Sequence, residues 1–375
     1  MLNPRKITVA KIVLTGGHAA TTAVSVIETL LKQSSKRFVW EIYWIGVQTS
    51  IEGQKVPTLE KNVFPKMGVN FRPIIAGRLQ RRLSLWTIPS LTKIPIGFIL
   101  AFWELVRIKP RVILSFGGYA AFPVVLAGYL LRIPIVIHEQ TVAAGRANKY
   151  SAFFAKKVAL ARKESLKYFP QNKCVVIGNP IMSQILNVPK KFKPGSPFTL
   201  FVTGGSRGAV FINSLIAEIL PKLLNKFIVI HQTGYLDYKK YTKLRSQLPQ
   251  ELRDKYEVYD MIDPMQMDGF YRRADLIISR AGANTVSEIM CVEIPSILIP
   301  IPWTYEDEQS KNAALASQFG IAKVCNQDTL RAPSLYKEIL FMVDNWHYFL
   351  SKVKRKESPD IEAAKKLVSL LTTYI

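Results

Sequence analysis

The 375-residue sequence predicts an α/β protein of two Rossmann-like domains, each built on a parallel sheet. Runs of Val, Ile and Leu recur without polar alternation, which is typical of strands that are covered on both faces. Helix-like stretches separate these runs, as the crossover connections between parallel strands require. A strand-Thr-Gly-Gly-helix pattern occurs twice, at residues 11–23 and 199–211, so that each copy opens a domain of ordinary size.

Ten apolar runs fit strands, five in each half of the chain. Those of the first half are ITVAKIVL, FVWEIYWIG, RVILSF, IPIVIHE and KCVVIGNP, and those of the second half are FTLFVTGG, KFIVIHQTG, YEVYDMI, ADLIISRAG and PSILIPI. A stretch rich in Pro, Gly, Ser and Lys at 187–198 predicts a linker between a first domain, 1–186, and a second, 199–349. A helical segment at about 350–375 ends the chain and could pack back on the first domain.

The charge balance is strongly basic, with 51 Lys and Arg against 27 Asp and Glu, a net charge of +24. Such an excess suits phosphorylated substrates or anionic lipid, although a generally basic composition explains it equally well. Nucleic acid is not expected as a partner, because no helix-turn-helix, zinc-finger or RRM signature is present. The three cysteines have no CxxC spacing, which argues against a disulfide scaffold or a zinc site and favours a reducing cytosol.

No stretch of the sequence has the length of a membrane span. The longest apolar run, 94–106, has 13 residues and contains Glu104, whereas a spanning helix needs about 20 apolar residues. The apolar N-terminal stretch leads directly into a glycine turn, so that it predicts a first buried strand and not a signal peptide.

Two turns of the second half have the composition of phosphate sites. In TGGSRGAV the glycines allow backbone N–H groups to approach an anion, and Ser206 adds a hydroxyl donor. In SRAGANTVSE a helix is expected to begin near Asn284 or Thr285, with Glu288 one turn later as an acceptor for a ribose diol. The alternatives are an ordinary tight βα turn for the first and a carboxylate that complements the helix dipole for the second.

An acidic loop follows at 300–313, with the sequence PIPWTYEDEQSKNA. Its three neighbouring carboxylates resemble a metal site at first. Adjacent side chains of a loop seldom converge, however, and acidic residues are common at helix starts. We therefore expect the beginning of a helix here and no metal, with Gln309 as the candidate partner for a sugar hydroxyl.

Strand ends of the first half carry candidate proton acceptors. His18 in TGGHAATT follows the first strand, where an imidazole can accept a proton near neutral pH. His138 and Glu139 end another strand, and SFGGYAAFP supplies a further glycine turn. Because ligands of open parallel sheets bind at the carboxyl ends of the strands, we expect the turns of the two domains to face each other across a cleft.

Ten motifs occur together in the order TGGH, GRLQRR, SFGGYAAFPVVLAG, IPIVIHEQT, GRANKYSAFFAKKVALA, VVIGNP, VTGGSRGA, IHQTG, ADLIISRAGANTVSEI and DEQSKNA. From residue 12 to about 313 the sequence thereby resembles the MurG family of UDP-N-acetylglucosamine:lipid-linked muramoyl-pentapeptide N-acetylglucosaminyltransferases. The resemblance implies a GT-B fold and an inverting, metal-independent enzyme of peptidoglycan biosynthesis that uses no cofactor. The lack of a DxD motif agrees with that class.

The resemblance also implies which residues bind the donor, UDP-GlcNAc, and which bind the acceptor. Ser206 takes the place of the serine at the phosphates, Ile262 that of the backbone clamp on uracil, and Gln309 that of the glutamine at the sugar. The turn at the ribose maps onto Ala283, Asn284, Thr285, Val286, Ser287 and Glu288. Thr15, Gly16 and Gly17 of the first TGG turn, which faces the lipid pyrophosphate, are also expected among the donor contacts. Thr141, at the position after HEQ, is expected there too. The acceptor is expected to contact Gly117, Gly118, Tyr119 and Asn148.

Three positions depart from the family pattern. The first loop reads LTGGHAATTA, without the doubled glycine that precedes TGG in the family and without the Pro that follows it there. Thr141 takes the place of an Asn, and Met182 takes the place of an Arg. These departures concern the sugar contacts and the acceptor, and they leave the nucleotide contacts as the family has them.

The resemblance implies transfer of GlcNAc to the C4 hydroxyl of undecaprenyl-pyrophosphoryl-MurNAc-peptide. His18 takes the position of the base, and Glu139, or a backbone or water route, is the alternative. Two other functions fit the same fold: a synthase that glycosylates diacylglycerol from a UDP-sugar, and a non-catalytic membrane-binding subunit. The presence of the TGGH, TGGS and VSE turns argues against the subunit, because an idle site need not keep them.

A lipid-linked acceptor implies a peripheral protein on the cytoplasmic face of the plasma membrane, with cell-wall synthesis proteins among its partners. At 77–106 basic residues alternate with Leu and Trp, as an interfacial segment requires. The residues predicted to contact an anionic membrane are Leu79, Arg81, Arg82, Leu83, Leu85 and Trp86. The alternative places these apolar side chains in the core of the first domain.

Overall fold

A computed structural model describes residues 8–17, 19–34, 38–49, 58–77, 87–205, 208–353 and 357–375, with the backbone alone at 87–92. The chain divides into two compact units, the first made of Met1–Met182 and Pro359–Ile375 and the second of Ser183–Ser358. Within the described ranges no helix combines the length and the hydrophobicity that crossing a membrane requires.

The first unit is a seven-stranded sheet with helices between its strands. Its elements in chain order are β1 (Thr8–Thr15), α1 (Ala20–Gln33), β2 (Phe38–Gly46), α2 (Leu59–Val63), β3 (Asn70–Pro73), α3 (Thr87–Ile108), β4 (Val112–Ser115), α4 (Phe122–Leu130), β5 (Ile135–Glu139), α5 (Arg146–Ser151), β6 (Lys157–Leu160) and β7 (Cys174–Val176). The strand order is β3-β2-β1-β4-β5-β6-β7, and every pair is parallel.

The second unit is a six-stranded sheet of the same kind. Its elements are α6 (Ser183–Leu186), β8 (Thr199–Thr203), α7 (Val210–Leu224), β9 (Ile228–Gln232), α8 (Tyr238–Ser246), α9 (Gln250–Arg253), β10 (Tyr256–Tyr259), α10 (Met267–Arg273), β11 (Leu276–Ser279), α11 (Ala283–Val292), β12 (Ser296–Leu298), α12 (Glu308–Phe319), β13 (Ala322–Val324), α13 (Ala332–Asp344) and α14 (Trp346–Val353). The order is β10-β9-β8-β11-β12-β13, again all parallel.

The last helix, α15 (Ala363–Thr372), belongs to the first unit and packs on α1. Its apolar residues Ala363, Leu367, Val368 and Leu371 are buried. Just before it, Asp360 forms a buried ion pair with Arg162, with nitrogen–oxygen distances of 2.5 and 2.7 Å. The returning segment is thus attached to the first unit by apolar packing and by one charged contact.

The predicted fold class is confirmed, because each of the ten apolar runs contains a strand of one of two parallel sheets. The sequence analysis missed three strands, β3, β6 and β13, which have only three or four residues. β3 has the sequence NFRP and lies at a sheet edge, where a Pro is tolerated. β13 lies at an edge of the second sheet, and its sequence, AKV, contains no long apolar run from which a strand could be predicted.

Candidate functional site

A cavity of about 640 Å³ lies in the second unit, at the carboxyl ends of β8, β11, β12 and β13. This is the edge at which open parallel sheets bind ligands. The described residues that line it are Thr203, Gly204, Gly205, Gly208, Ala209, Val210, Phe211, Ser279, Arg280, Gly282, Thr285, Ile301, Trp303, Gln309 and Gln327. Two of the predicted donor contacts, Thr285 and Gln309, are therefore brought to one cavity with the second glycine turn.

The second glycine turn is held by the strand beside it. The Thr203 hydroxyl accepts a 3.0 Å hydrogen bond from the Gly205 N–H and donates one of 2.6 Å to the Gln232 side chain. Gly208 has a φ of +75°, and a Cβ there would lie 2.1 Å from the Thr233 carbonyl oxygen, so that no other residue fits. Ser206, the predicted phosphate contact, lies outside the described residues.

Helix α11 presents its N-terminus to the cavity through Gly282 and Thr285. Gly282 is the N-cap, and the first turn holds no acidic residue, so that the dipole and the first amides favour an anion. The helix begins at Ala283, one or two residues earlier than the sequence predicts. Its N-terminal turn is accordingly a suitable place for a phosphate.

Val286 and Ser287, which were also predicted as donor contacts, have little exposed surface. Both are buried, at 1% and 0% exposure, on the face of α11 that meets the core. The Val286 amide donates to the Gly282 carbonyl in the first helical turn. The sequence motif is contiguous, but only one side of a helix can face a ligand, and that side includes Thr285.

Glu288, the predicted ribose contact, is buried and accepts a 2.6 Å hydrogen bond from the hydroxyl of Tyr271. Burial raises the pKa of the Glu288 carboxyl to about 7, and the bond from Tyr271 opposes that change. Tyr271 is 1% exposed and lies on α10. Near neutral pH this carboxyl can therefore exist in either protonation state.

Gln309 and Ile262 were also predicted as donor contacts, and of the two only Gln309 lines the cavity. The Gln309 side-chain oxygen accepts a 3.1 Å hydrogen bond from the Ile301 amide, which leaves its NH₂ group as the donor to a ligand. The acidic residues before it form a 3₁₀ turn, Tyr305–Asp307, and the start of α12, as helix-start acids do. Ile262 follows β10, is 4% exposed, and is not among the described residues that line the cavity.

Three cavity residues were missed by the sequence analysis. Arg280 donates to the Ile299 carbonyl at 3.0 Å, its Nε has no partner among the described residues, and burial lowers its pKa to about 10. It remains a cation at neutral pH and suits a diphosphate. Gln327 is 8% exposed, and its oxygen has no partner in the described part of the chain. Trp303 is 73% exposed and offers an aromatic face.

In the first unit the two predicted glycine turns touch each other. The Gly17 amide donates to the Gly117 carbonyl at 2.9 Å, which joins the turn after β1 to the turn after β4. Gly118 has a φ of +85°, and a Cβ there would lie 3.1 Å from the backbone of Gly17. The Thr15 hydroxyl is buried without a partner among the described residues. His18 lies outside the described residues.

Glu139, the alternative base, is the centre of a buried hydrogen-bond cluster. Its carboxylate accepts from the Thr141 amide and hydroxyl, the Gly145 amide and the Asn148 side chain, at 2.9 to 3.1 Å. Burial nevertheless raises the pKa of this carboxyl. The side chains of Thr141 and Asn148, predicted to contact donor and acceptor, thus bond within their own loop. All these contacts orient the segment that follows β5.

His138 is a structural histidine. Its ring is fully buried and its Nε2 bonds to the Gly178 carbonyl at 3.1 Å. Burial lowers the pKa of His138 to about 4, so that the ring is neutral at physiological pH.

Met182, which takes the place of the Arg expected from the family pattern, is buried, at 2% exposure.

Tyr119, a predicted acceptor contact, lines a second cavity of about 440 Å³ in the first unit. That cavity also includes Ile75, Lys93 and Leu100, so that apolar surface and a cation occur together in it.

The predicted membrane contacts Leu79, Arg81, Arg82, Leu83, Leu85 and Trp86 lie outside the described residues. Among the residues that are described, no three His, Cys, Asp or Glu side chains are grouped as a metal site.

Two family models match the chain. They are the glycosyltransferase family 28 N-terminal domain, over residues 15–160, and the glycosyltransferase family 28 C-terminal domain, over residues 199–369. The chain is 33% identical to the UDP-N-acetylglucosamine–N-acetylmuramyl-(pentapeptide) pyrophosphoryl-undecaprenol N-acetylglucosamine transferase of Caldanaerobacter subterraneus subsp. tengcongensis, over 96% of this chain and 97% of that enzyme. It is 28% identical to the enzyme of the same name from Clostridium botulinum, over 97% and 99% of the two chains.

Solved structures share the two-unit architecture. The crystal structure of Acinetobacter baumannii MurG aligns over 97% of this chain and 99% of that one, with a TM-score of 0.68 at 24% identity. A UDP-GlcNAc 2-epimerase from Neisseria meningitidis bound to UDP-GlcNAc aligns over 98% and 100%, with a TM-score of 0.64 at 12% identity. At these identities the likeness concerns the fold, which is GT-B.

Proposed function

The chain belongs to glycosyltransferase family 28, and we propose that it transfers GlcNAc from UDP-GlcNAc to the C4 hydroxyl of undecaprenyl-pyrophosphoryl-MurNAc-peptide. This is the reaction named for relatives that align over nearly the whole chain. The chain is thus a UDP-sugar-dependent N-acetylglucosaminyltransferase of peptidoglycan biosynthesis.

The observation that carries this proposal is the 640 Å³ cavity of the second unit. A glycine turn, the N-terminus of α11 and the Arg280 guanidinium line the same cavity, and each favours negative charge. Gln309 adds an amide donor of the kind that a sugar hydroxyl accepts. A nucleotide diphosphate linked to a sugar combines these chemical groups in one molecule.

In the proposed reaction the acceptor hydroxyl attacks C1 of the sugar from the face opposite UDP, and the anomeric centre is inverted. A base removes the hydroxyl proton while the bond from C1 to the diphosphate oxygen breaks and UDP leaves. Negative charge develops on that oxygen. Arg280 and the first turn of α11 would stabilise it without a metal, and fixed charges and dipoles of this kind supply much of the rate in such reactions.

We assign the base to His18, with Glu139 as the alternative. The cluster around Glu139 favours His18, because four hydrogen bonds from Thr141, Gly145 and Asn148 already use that carboxylate. A base must be able to reach the proton that it removes. A carboxylate that holds its own loop together would have to give up bonds to do so.

We further propose that the protein associates peripherally with the cytoplasmic face of the plasma membrane. Helix α3 carries exposed apolar side chains at Ile96, Ile99, Leu100 and Trp103, with exposures of 37 to 57%. Their spacing of three and four residues puts them on one helical face. Such a face, near Lys93, supports an interfacial contact with anionic lipid. The proposed partners at this membrane are other proteins of cell-wall synthesis.

The test measures transfer from radiolabelled UDP-GlcNAc to the lipid-linked muramoyl peptide or to diacylglycerol, with buffer alone as the control. Product is expected with the muramoyl lipid only, and UDP-glucose should replace UDP-GlcNAc poorly. Transfer to diacylglycerol would identify a glycolipid synthase, and no transfer at all would favour a binding subunit. Replacing His18 by Ala should lower turnover by about 10² to 10⁴ without weakening UDP binding.

A further inference from the structure

The motif IHQTG, at residues 230–234, contains none of the predicted site residues. Its Gln232 ends β9 and is 2% exposed. A buried amide side chain costs free energy unless a hydrogen bond compensates for the loss of water. The Gln232 Oε1 accepts such a bond, at 2.6 Å, from the hydroxyl of Thr203, its partner in register on the neighbouring strand β8. The motif thus places a buried acceptor beside the end of β8.

This acceptor determines how the Thr203 hydroxyl is used. A hydroxyl has one proton, and here the proton points to Gln232, so that the oxygen is left to accept. It accepts a hydrogen bond from the Gly205 amide at 3.0 Å. The Gly205 carbonyl accepts one from the Gly208 amide at 2.9 Å, which closes the second glycine turn. Three hydrogen bonds in series therefore connect Gln232 to both ends of that turn.

The series ends in the cavity of the second unit. Thr203, Gly205 and Gly208 line that cavity, and Gln232 is not among the described residues that do. Glycine loses more conformational freedom on folding than any other residue. A glycine turn consequently presents its amides in one direction only where outside contacts hold it. The described outside contact of the Gly205 amide is the Thr203 hydroxyl.

We propose that Gln232 is a positioning residue for the donor, which holds the glycine turn in its anion-binding conformation through the Thr203 hydroxyl. The inference rests on the proposed function, because it takes the diphosphate of UDP-GlcNAc as the ligand of the cavity. Donors that are already ordered bind more tightly, since binding does not have to order them. Gln232 is not a catalytic residue, because it acts through Thr203 and the turn.

The test is a double-mutant cycle of Gln232→Met and Thr203→Val, read out as the dissociation constant for UDP by calorimetry. Met has nearly the length of Gln without its oxygen, and Val has the shape of Thr without its hydroxyl. We expect each single variant to bind UDP about threefold to tenfold more weakly, the effect of one lost hydrogen bond. The double variant should bind UDP as weakly as Thr203→Val alone, because the series is already interrupted there.

Tyr256→Phe is the matched control. Tyr256 lies on β10, next to β9, is fully buried, and its hydroxyl hydrogen-bonds to Nδ1 of His231 at 2.9 Å. The variant removes one buried hydrogen bond from the same sheet and leaves the series intact. We expect it to bind UDP as the wild type does at a temperature where both are folded. A loss as large as that of Gln232→Met would overturn the proposal.

Thr203→Ser tests the series without a change at Gln232. Ser keeps the hydroxyl, so that UDP binding should stay within about twofold of wild type, whereas Thr203→Val loses it. Hydrogen exchange of the Gly205 amide should be slower in wild type and Thr203→Ser than in Thr203→Val and Gln232→Met. Equal UDP affinity in Thr203→Ser and Thr203→Val would show that the hydroxyl has no part in binding and would overturn the proposal.

The cycle also separates this inference from the proposed function. Wild-type affinity for UDP in Gln232→Met, or losses that multiply in the double variant, overturns the positioning role alone. A wild-type protein that binds no UDP overturns the proposed function and this inference with it.

Discussion

The Tyr271 hydroxyl donates a 2.6 Å hydrogen bond to the buried carboxylate of Glu288. The two residues lie on different helices, α10 and α11, and neither is among the described residues that line the cavity. Burial raises the pKa of Glu288 to about 7. A ribose diol that donates to this carboxylate would favour its ionised form, so that ligand binding and protonation compete.

The first prediction is that UDP-GlcNAc binding depends on pH through Glu288. Its diphosphate is esterified at both ends and does not titrate in this range, so that a change in affinity reports the protein. With a pKa of about 7, the affinity should be full near pH 8 and about tenfold lower at pH 6. Calorimetric titrations at both pH values measure it. Glu288→Gln should bind more weakly at pH 8, by about 1.5–3 kcal/mol, and without pH dependence.

Stability should change with pH in the opposite sense. The pKa of Glu288 is raised in the folded protein, to about 7, so that the folded state holds the proton more tightly than the unfolded chain. The free energy of unfolding therefore decreases as the pH rises from about 4.5 to about 7, and this contribution is level above that range. Urea titrations of wild type and Glu288→Gln should show the difference.

For the binding prediction, the same affinity for UDP-GlcNAc at pH 6 and pH 8 would show that Glu288 does not contact the ligand.

The second prediction is that Arg280 binds the diphosphate. Arg280→Met keeps much of the side-chain volume and removes the cation, so that UDP affinity should fall by about 1.5–3 kcal/mol, the value of a hydrogen bond to a charged group. Arg273→Met is the control, because Arg273 pairs with Glu257 on the surface of the same unit. Isothermal titration with UDP compares the two variants. If both bind UDP as the wild type does, the guanidinium plays no part in the donor site.

Part of the cavity in the second unit could be predicted from the sequence, because two of its residues belong to local motifs that follow strand ends. Thr285 and Gln309 lie 24 residues apart and yet line one cavity, as the rule for parallel sheets predicts. Arg280 could not be assigned, because the partner that orients it is the Ile299 carbonyl, which follows β12 and lies 19 positions away in the sequence.

In the segment after β5, the sequence pattern does not determine which side chains bond to each other. A motif shows that Glu139, Thr141 and Asn148 occur together, but it does not show whether they face a ligand or each other. In the structure the Thr141 hydroxyl and the Asn148 amide group both donate to the Glu139 carboxylate. Pairwise hydrogen bonding depends on side-chain direction, which neither spacing nor composition determines.

The third prediction concerns the ion pair of Arg162 and Asp360. The two side chains are 7% and 0% exposed, and Asp360 also accepts a 2.7 Å hydrogen bond from the Asn179 amide. Asp360→Asn leaves a buried guanidinium without its counter-charge and should lower the free energy of unfolding by about 3–5 kcal/mol. Glu362→Gln, which breaks the exposed pair with Lys365, should change it by less than about 1 kcal/mol. Urea unfolding that gives equal losses for both variants would contradict a structural role for the buried pair.

The last prediction concerns the apolar face of α3. Ile99 and Trp103 are 53% and 57% exposed and lie one helical turn apart, so that two acidic substitutions remove both apolar contacts and add repulsion from anionic lipid. Ile99→Glu/Trp103→Glu should reduce co-sedimentation with vesicles that contain anionic lipid by at least about tenfold, since each buried side chain contributes roughly 1.5–3 kcal/mol. Wild-type binding should also weaken with salt, because each cation near the surface contributes about 1 kcal/mol. Tyr348→Glu, at a 51% exposed position on α14 of the second unit, is the control. Undiminished binding of the α3 variant would show that another surface meets the membrane.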